Sequence, residues 1–529
     1  MEIVSGCYTS TRSISFIALW VPGLQFATSS IANPAEMKLA DHPLLGANLD
    51  RSDISMKLIC WAIAALVILP NLLLFSVDDI IIVSLTDPLK SVALDQASNG
   101  RYGLSALCWL LRILGGSRID LEAIGAVTII AGYAALFSET IRFSRARFST
   151  AEYLAGFSIF LTFGLLMDVF SFTNVWVQSG AASLALAASL NITQSERRFV
   201  SKIAIIGLVG CVAMGFYQTY PYMVACSLMA AFVISFAFGD GETLSTIVHR
   251  YLPAAVGALI AVGLYLVTNK ILQDAGVPGF SAGGRPFGAE YLKPNVLPYI
   301  KTIGDALNAF SGGYAHYENR ITIIVFGLAV VTAVSAAKSL RAKVLVIFAF
   351  FAVALMLPNP TNLLMKIYWP SPRSVSPISI FVALIITAAC ARWTGKIAGV
   401  SIGMVALLIT VLSQAVIYID QQKGRADQEA MDIATANMII NRAYQEFPYT
   451  KRPVVKMNFN WDDNVIYHAR TFEFGESLMT TPENRKGLFL YLSNGRVDVY
   501  PTSPSECSGI RSHLTIEVKG DALLVCSNK

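Results

Sequence analysis

The sequence predicts an all-α polytopic membrane protein of about 11 transmembrane helices, followed by a small C-terminal α/β domain outside the membrane. Three observations predict it. Of 529 residues, 54% are hydrophobic and only 14% are charged, where a soluble domain carries about 25% charged residues. Apolar stretches long enough to cross a bilayer recur along most of the chain, and the mean hydropathy is +0.56. From Asp420 onward the composition changes to that of a soluble domain.

Taken in order, residues 1–55 fit this scheme poorly. Ser15–Ile31 is apolar but is interrupted by Pro22 and Gly23, and it lacks the small-residue cleavage site of a signal peptide. The segment reads as an N-terminal extension, with Met56-Lys57 as a natural start. Residues 56–420 form the membrane module and residues 421–529 the external domain. A span needs about 20 apolar residues. Such segments begin near Leu58, Ile119, Tyr153, Val177, Ile203, Tyr222, Leu252, Ile321, Val344, Ile378 and Ile397.

Between the first two spans, Ile80–Gly116 is too polar and interrupted to cross, and amphipathic pieces such as Ala106–Leu114 belong in the interface plane. Asn269–Arg320 is a long loop rich in Gly and aromatic residues. Pro358–Pro377 is another, with Tyr368 and Trp369 as interface anchors around Lys366 and Arg373. In the tail, Asp427–Tyr444 reads as a helix. Val454–Phe459, Gly487–Leu492 and His513–Val525 read as strands, the last a hairpin turning at Lys519-Gly520-Asp521. Trp461-Asp462-Asp463 is a sugar-contact candidate or an exposed turn. Cys507 and Cys526 both fall in the tail, where an oxidising compartment permits a disulfide.

Loop charge sets the orientation, because Lys and Arg stay on the cytoplasmic side of short loops. Arg142, Arg145 and Arg147 follow the second span, and Arg197, Arg198 and Lys202 the fourth. Arg250 follows the sixth, Lys338, Arg341 and Lys343 the eighth, and Arg392 and Lys396 the tenth. The intervening turns Ser171–Asn174 and Gln218–Pro221 carry neither residue. On this reading the end of the first span and the C-terminal domain both lie outside.

The acid pair Asp78-Asp79 stands where the first span meets water. Adjacent carboxylates each raise the cost of ionising the other. They form either a plain acidic helix end or a general base, one carboxylate taking a hydroxyl proton while its neighbour orients it or a divalent cation such as Mg or Mn. Asp168, at the external end of the third span, is a helix cap or a third acid facing the same cavity. Tyr217, Gln218 and Tyr220 mark the tight turn between the fifth and sixth spans. Their rings and polar ends suit a sugar, or else an aromatic belt. Arg101, Lys293, Arg320, Lys366 and Arg373 are external cations placed against the charge rule. Each is a lipid-headgroup contact or part of an anion site, since Arg forks fit phosphate. No Walker motif, Gly-rich βαβ turn or zinc spacing is present. This argues against nucleotides and nucleic acid as partners.

In their order, Asp78-Asp79, Gly100-Arg101, Asp168, Tyr217-Gln218-Thr219-Tyr220 and Pro372-Arg373 resemble the membrane glycosyltransferases of the GT-C class, and more narrowly the serotype-converting O-antigen glucosyltransferases of bacteria and their phages. The likeness covers residues 56–420. It implies an inverting hexosyltransferase of the bacterial inner membrane with its site on the periplasmic side. Its donor would be an undecaprenyl-phosphate sugar such as glucose, and its acceptor an O-antigen or lipopolysaccharide glycan. Membrane lipids, a donor-synthesising glycosyltransferase and a sugar-lipid flippase are the implied partners. A divalent metal is used by some of the class and not by others. Two alternatives stay open on the residues alone: a flippase or transporter for a lipid-linked glycan, and an O-antigen polymerase.

Overall fold

The structure is a computed structural model that describes residues 51–74, 87–239, 244–280, 289–310, 320–366, 368, 372–397, 399–459, 477–479, 481–507 and 514–527. Asp78, Asp79 and Trp461-Asp462-Asp463 lie outside these residues, as does nearly all of the N-terminal extension.

The described chain is mostly helical. Helix α1 (Arg51–Ile68) tightens into a 3-10 turn, Leu69–Leu73, at Pro70, because proline cannot donate to the preceding turn. Helices α2 (Pro88–Ser98) and α3 (Tyr102–Ile113) fold back on each other through Asn99-Gly100-Arg101. They bury Leu89, Val92, Leu104 and Cys108, while Leu110, Ile113 and Leu114 stay exposed. That is the division expected of an interfacial hairpin.

The bundle then runs through α4 (Arg118–Ser144), α5 (Thr150–Leu161), α6 (Gly164–Ser171), α7 (Thr173–Gln194), α8 (Phe199–Phe216), α9 (Tyr220–Phe238) and α10 (Leu244–Asp274). It continues with α11 (Leu292–Phe310), α12 (Arg320–Ala336), α13 (Leu340–Met356), α14 (Ile378–Cys390) and α15 (Ile402–Glu446). Helices α4 and α7 pack along each other through small residues. A methyl group added at Gly180 would lie 2.4 Å from the backbone of Thr128, the close approach that small residues permit between membrane helices. Helix α9, buried with α14, forms the centre of the core. The outer helices carry exposed apolar side chains such as Leu208, Leu259, Ile324, Phe348 and Leu412, a surface suited to lipid rather than water.

Among the described residues, six helices are long and apolar enough to cross a membrane: α4, α7, α8, α9, α10 and α15. A seventh candidate is the pair α5 and α6, bent by 58°. Shorter apolar helices lie at Leu58–Leu73, α3, α12 and α14. The chain is therefore a helical, multi-pass membrane protein.

Three local expectations are corrected. The segment from Tyr153 is not one straight span, because Phe163 is extended between α5 and α6 and the Thr162 hydroxyl bonds back to Ser158 O at 2.7 Å. The last span does not begin at Ile397. A hairpin of β1 (Lys396–Ile397) and β2 (Val400–Ser401), turned by Gly399 at φ +86°, precedes it, and the Ser401 hydroxyl caps α15. Residues Gly487–Leu492 are not a strand but the end of α16 (Pro482–Leu492). Thr481 caps that helix and Pro482 occupies its first turn, start signals that outrank a short apolar run.

The C-terminal domain has a core of its own. Strands β3 (Val454–Phe459), β4 (Asp498–Pro501), β5 (Thr515–Lys519) and β6 (Ala522–Ser527) form a sheet in the order β4-β3-β6-β5. Strand β3 is parallel to β4 and β6, and β5 is antiparallel to β6. Val455, Met457, Leu523 and Val525 face the end of α15 (Ala436, Ile439, Ile440, Ala443) and Leu488 and Phe489 of α16. On the other face of β6, Leu524 packs with Cys526, which is bonded to Cys507.

Candidate functional site

At one end of the bundle a chain of contacts joins elements that are distant in sequence. It starts where α2 turns into α3. Gly100 adopts φ +74°, and its Cβ position lies 2.8 Å from the Tyr265 hydroxyl of α10, so a side chain is excluded by both backbone and space. The Tyr265 hydroxyl donates to Gly100 O at 3.1 Å. Gln218, in the turn between α8 and α9, donates to that hydroxyl at 2.7 Å and also to Asn99 O.

Beside this knot, Arg101 Nη1 donates to Gln96 Oε1 at 2.9 Å. Gln178 of α7 reaches the same oxygen from the bundle at 3.4 Å. Gln96 and Gln178 are both buried. At the outer edge of the hairpin, Asp87 caps α2 and pairs with Arg112 at 2.8 Å. The guanidinium holds that exposed carboxyl below its usual range.

Tyr217, next to Gln218, donates to Arg373 O at 2.7 Å. The Arg373 guanidinium lies 4.5 Å over the ring of Phe172, the residue that joins α6 to α7. Its segment is held from behind by Asn359, whose amide donates to Ser374 O at 2.9 Å. One residue before Phe172, Ser171 O accepts from Arg425 Nη2 at 3.3 Å, and Arg425 Nη1 donates to Asn71 Oδ1 at 3.1 Å. Asn71 is fully buried in the 3-10 turn that closes the first apolar helix, and it is also bonded by Gln422 at 2.8 Å.

Of the residues singled out in sequence, Arg101, Tyr217, Gln218 and Arg373 therefore meet in one contact chain. Asp168 sits on α6, one turn before Ser171. Asp78 and Asp79 follow the Asn71 turn in sequence, outside the described residues. The rest are placed elsewhere. Tyr220 packs inside the bundle, its hydroxyl 3.1 Å from that of Ser189. Lys293 and Arg320 are exposed at the starts of α11 and α12. Lys366 is also exposed, on a loop held to α11 by Asn295, which donates to Met365 O at 2.7 Å.

Sequence reading missed Asn71, Gln96, Gln178, Tyr265 and Arg425. Gln178 had a usable signal, an amide within an apolar span, since buried amides require partners. Arg425 had none, because it stands among the polar residues of what reads as a soluble domain. No group of three or more metal-ligating side chains occurs among the described residues. No protein-family model, curated protein or solved structure matches the chain.

Proposed function

We infer that the protein is a polyprenyl-phosphate-dependent glycosyltransferase of GT-C type, with its site at the end of the bundle where Arg101, Gln218, Tyr217 and Arg373 meet. The observation that carries this reading is the continuous contact chain from Gly100-Arg101 to Arg425 and Asn71. It ties the hairpin and the two cation-bearing segments to the helix end after which Asp78-Asp79 follow. In this reading Leu58–Leu73, α12, α13, α14 and the broken pair α5–α6 complete about eleven spans. The basic helix ends face the cytoplasm, and the site and C-terminal domain face the periplasm of a bacterial inner membrane.

The chemistry is a single displacement. A carboxylate of the Asp78-Asp79 pair accepts the proton of an acceptor hydroxyl on a surface glycan. That oxygen forms a bond to the anomeric carbon of the donor sugar as the bond from that carbon to the lipid-phosphate oxygen breaks, which inverts the centre. Phosphate is a competent leaving group with a second pKa of about 6, so cations rather than a strong acid are needed. Arg101 and Arg373, both within the contact chain, suit that role.

The test is transfer of isotope-labelled sugar from lipid carrier to glycan in membranes. Asp78→Asn or Asp79→Asn abolishes transfer at unchanged protein level. Full transfer in both single variants refutes the mechanism. Sugar-lipid that changes leaflet without transfer to glycan would identify a flippase instead.

A further inference from the structure

The opposite end of the bundle holds a cavity of about 580 Å³ where the ends of α4, α9 and α14 meet. The proposed sugar transfer does not use it. Its volume lies within the 300–1,000 Å³ range typical of small-ligand sites. Arg145, Arg147 and Arg392 line it, against one carboxylate, Glu152, which is engaged by the backbone N–H of Ser149 at 2.7 Å. The floor is polar: buried Ser235 donates to Ser144 O at 3.2 Å. The wall beside it is apolar, made by Ile234 and Phe238.

An excess of arginine at one set of helix ends is expected from the charge rule alone. Two further features turn this excess into a site. Arg145 and Arg147 come from the segment that leaves α4 and Arg392 from the end of α14, far away in sequence, and all three line one concavity. Both segments are also held in place. Arg392 donates to Phe238 O and lies 5.9 Å over the Phe238 ring. Arg145 ends α4 at φ +58°, the left-handed position that glycine usually occupies at a helix C-terminus. A residue with a Cβ there carries a backbone cost of about 1–2 kcal/mol.

We propose that this cavity binds a phosphate group, presented by the headgroup of an anionic lipid. Guanidinium forks match phosphate oxygens in pairs. The apolar wall of Ile234 and Phe238 takes the glycerol and the first methylenes of a lipid, as in basic headgroup pockets between membrane helices. This inference is independent of the sugar-transfer reading.

The test uses the full-length protein in detergent micelles and reads the thermal unfolding midpoint. It is titrated with short-chain phosphatidylglycerol, with phosphatidylcholine of equal chain length, and with inorganic phosphate. Phosphatidylglycerol raises the midpoint saturably and phosphatidylcholine does not. The double variant Arg145→Gln, Arg147→Gln needs at least tenfold more phosphatidylglycerol for the same shift. The full shift with inorganic phosphate assigns the site to a soluble phosphate, and a shift with phosphatidylglycerol alone assigns it to lipid. No shift with either phosphate source overturns the proposal. So does an equal response to phosphatidylcholine, or an unchanged titration in the variant. If the double variant does not accumulate, native mass spectrometry of the wild-type protein decides the question. Equal retention of the two lipids then overturns the proposal.

Discussion

Asp432 makes a pH prediction that can be worked from its surroundings. It stands on α15 beyond the apolar part of that helix and is 1% exposed. Its carboxylate accepts from Leu478 N at 2.7 Å, from the Ser477 hydroxyl at 2.9 Å and from Gln428 Nε2 at 3.0 Å. These bonds favour the charged form, but burial outweighs them and pushes the carboxyl up from its usual 3.8 to about 6. The folded state therefore binds this proton more tightly than the unfolded state does. Stability from Asp432 is greatest below the unfolded value and is lost as the pH rises through the folded value. A two-unit shift corresponds to about 3 kcal/mol in all. Between about pH 5 and about pH 7.5 the difference is about 1.4 kcal/mol, or tenfold in the opening equilibrium.

Amide hydrogen exchange of β3 and β6, corrected for intrinsic rates, reads this directly. Their opening free energy rises on acidification in the wild-type protein. In Asp432→Asn, which preserves shape but does not titrate, the part of the pH dependence that Asp432 contributes disappears, while slopes from other groups remain. Equal pH dependence in the two proteins would falsify the assignment, as would wild-type protection that falls toward acid.

Three further predictions concern other parts of the fold. Gly100→Ala forces a side chain into φ +74° and against the Tyr265 hydroxyl, at a cost of about 1–3 kcal/mol; sugar transfer should fall more steeply than the unfolding midpoint, and an unaltered transfer rate would remove Gly100 from the site. Arg425→Gln withdraws the guanidinium from Ser171 O and from Asn71 Oδ1, which keeps its bond from Gln422, at about 1–3 kcal/mol for the charge-assisted bonds lost. Activity should drop severalfold and return in part with Arg425→Lys, measured at matched protein amounts. Cys507→Ser opens a bridge with a sequence separation of 19 and should cost about 3 kcal/mol in the C-terminal domain. The loss should show as faster exchange confined to β5 and β6, and a uniform change across the bundle would contradict it.

The helical membrane class was legible because hydropathy reports burial in lipid residue by residue. The β5–β6 hairpin was legible too, since Gly520 supplies the positive φ its turn requires. Segment ends were less so. The break between α5 and α6 is set by Phe163 and a hydroxyl bond, with no proline to announce it. The run Gly487–Leu492 fits a strand and a helix equally well, and only the Thr481-Pro482 cap decides between them. In the site, charged and aromatic residues that break a local rule could be picked out singly. Their partners could not. Gln96 and Gln178 matter because the fold brings two amides 82 positions apart together at Gln96 Oε1, the oxygen that also accepts from Arg101, and no local pattern encodes that meeting.

Helix α15 runs unbroken through residue 420, where the composition changes to that of a soluble domain. One face of this helix is buried along its length: Leu407, Thr410, Gln414, Tyr418, Gln421, Arg425, Glu429, Asp432, Ala436, Ile439 and Ala443. The spacing is three or four residues throughout, so these side chains form a single stripe. The stripe changes chemistry along the way. Gln414 donates to Thr322 of α12 at 2.9 Å, and Tyr418 donates to Val67 O. Arg425 holds the ends of two helices, Asp432 holds the segment leading into α16, and Ala436 onward packs on the sheet. A composition boundary registers only the loss of apolar residues after the lipid-embedded part. The buried stripe continues across it. Any shift of the C-terminal sheet against the bundle must therefore bend this helix or carry Arg425 away from Asn71.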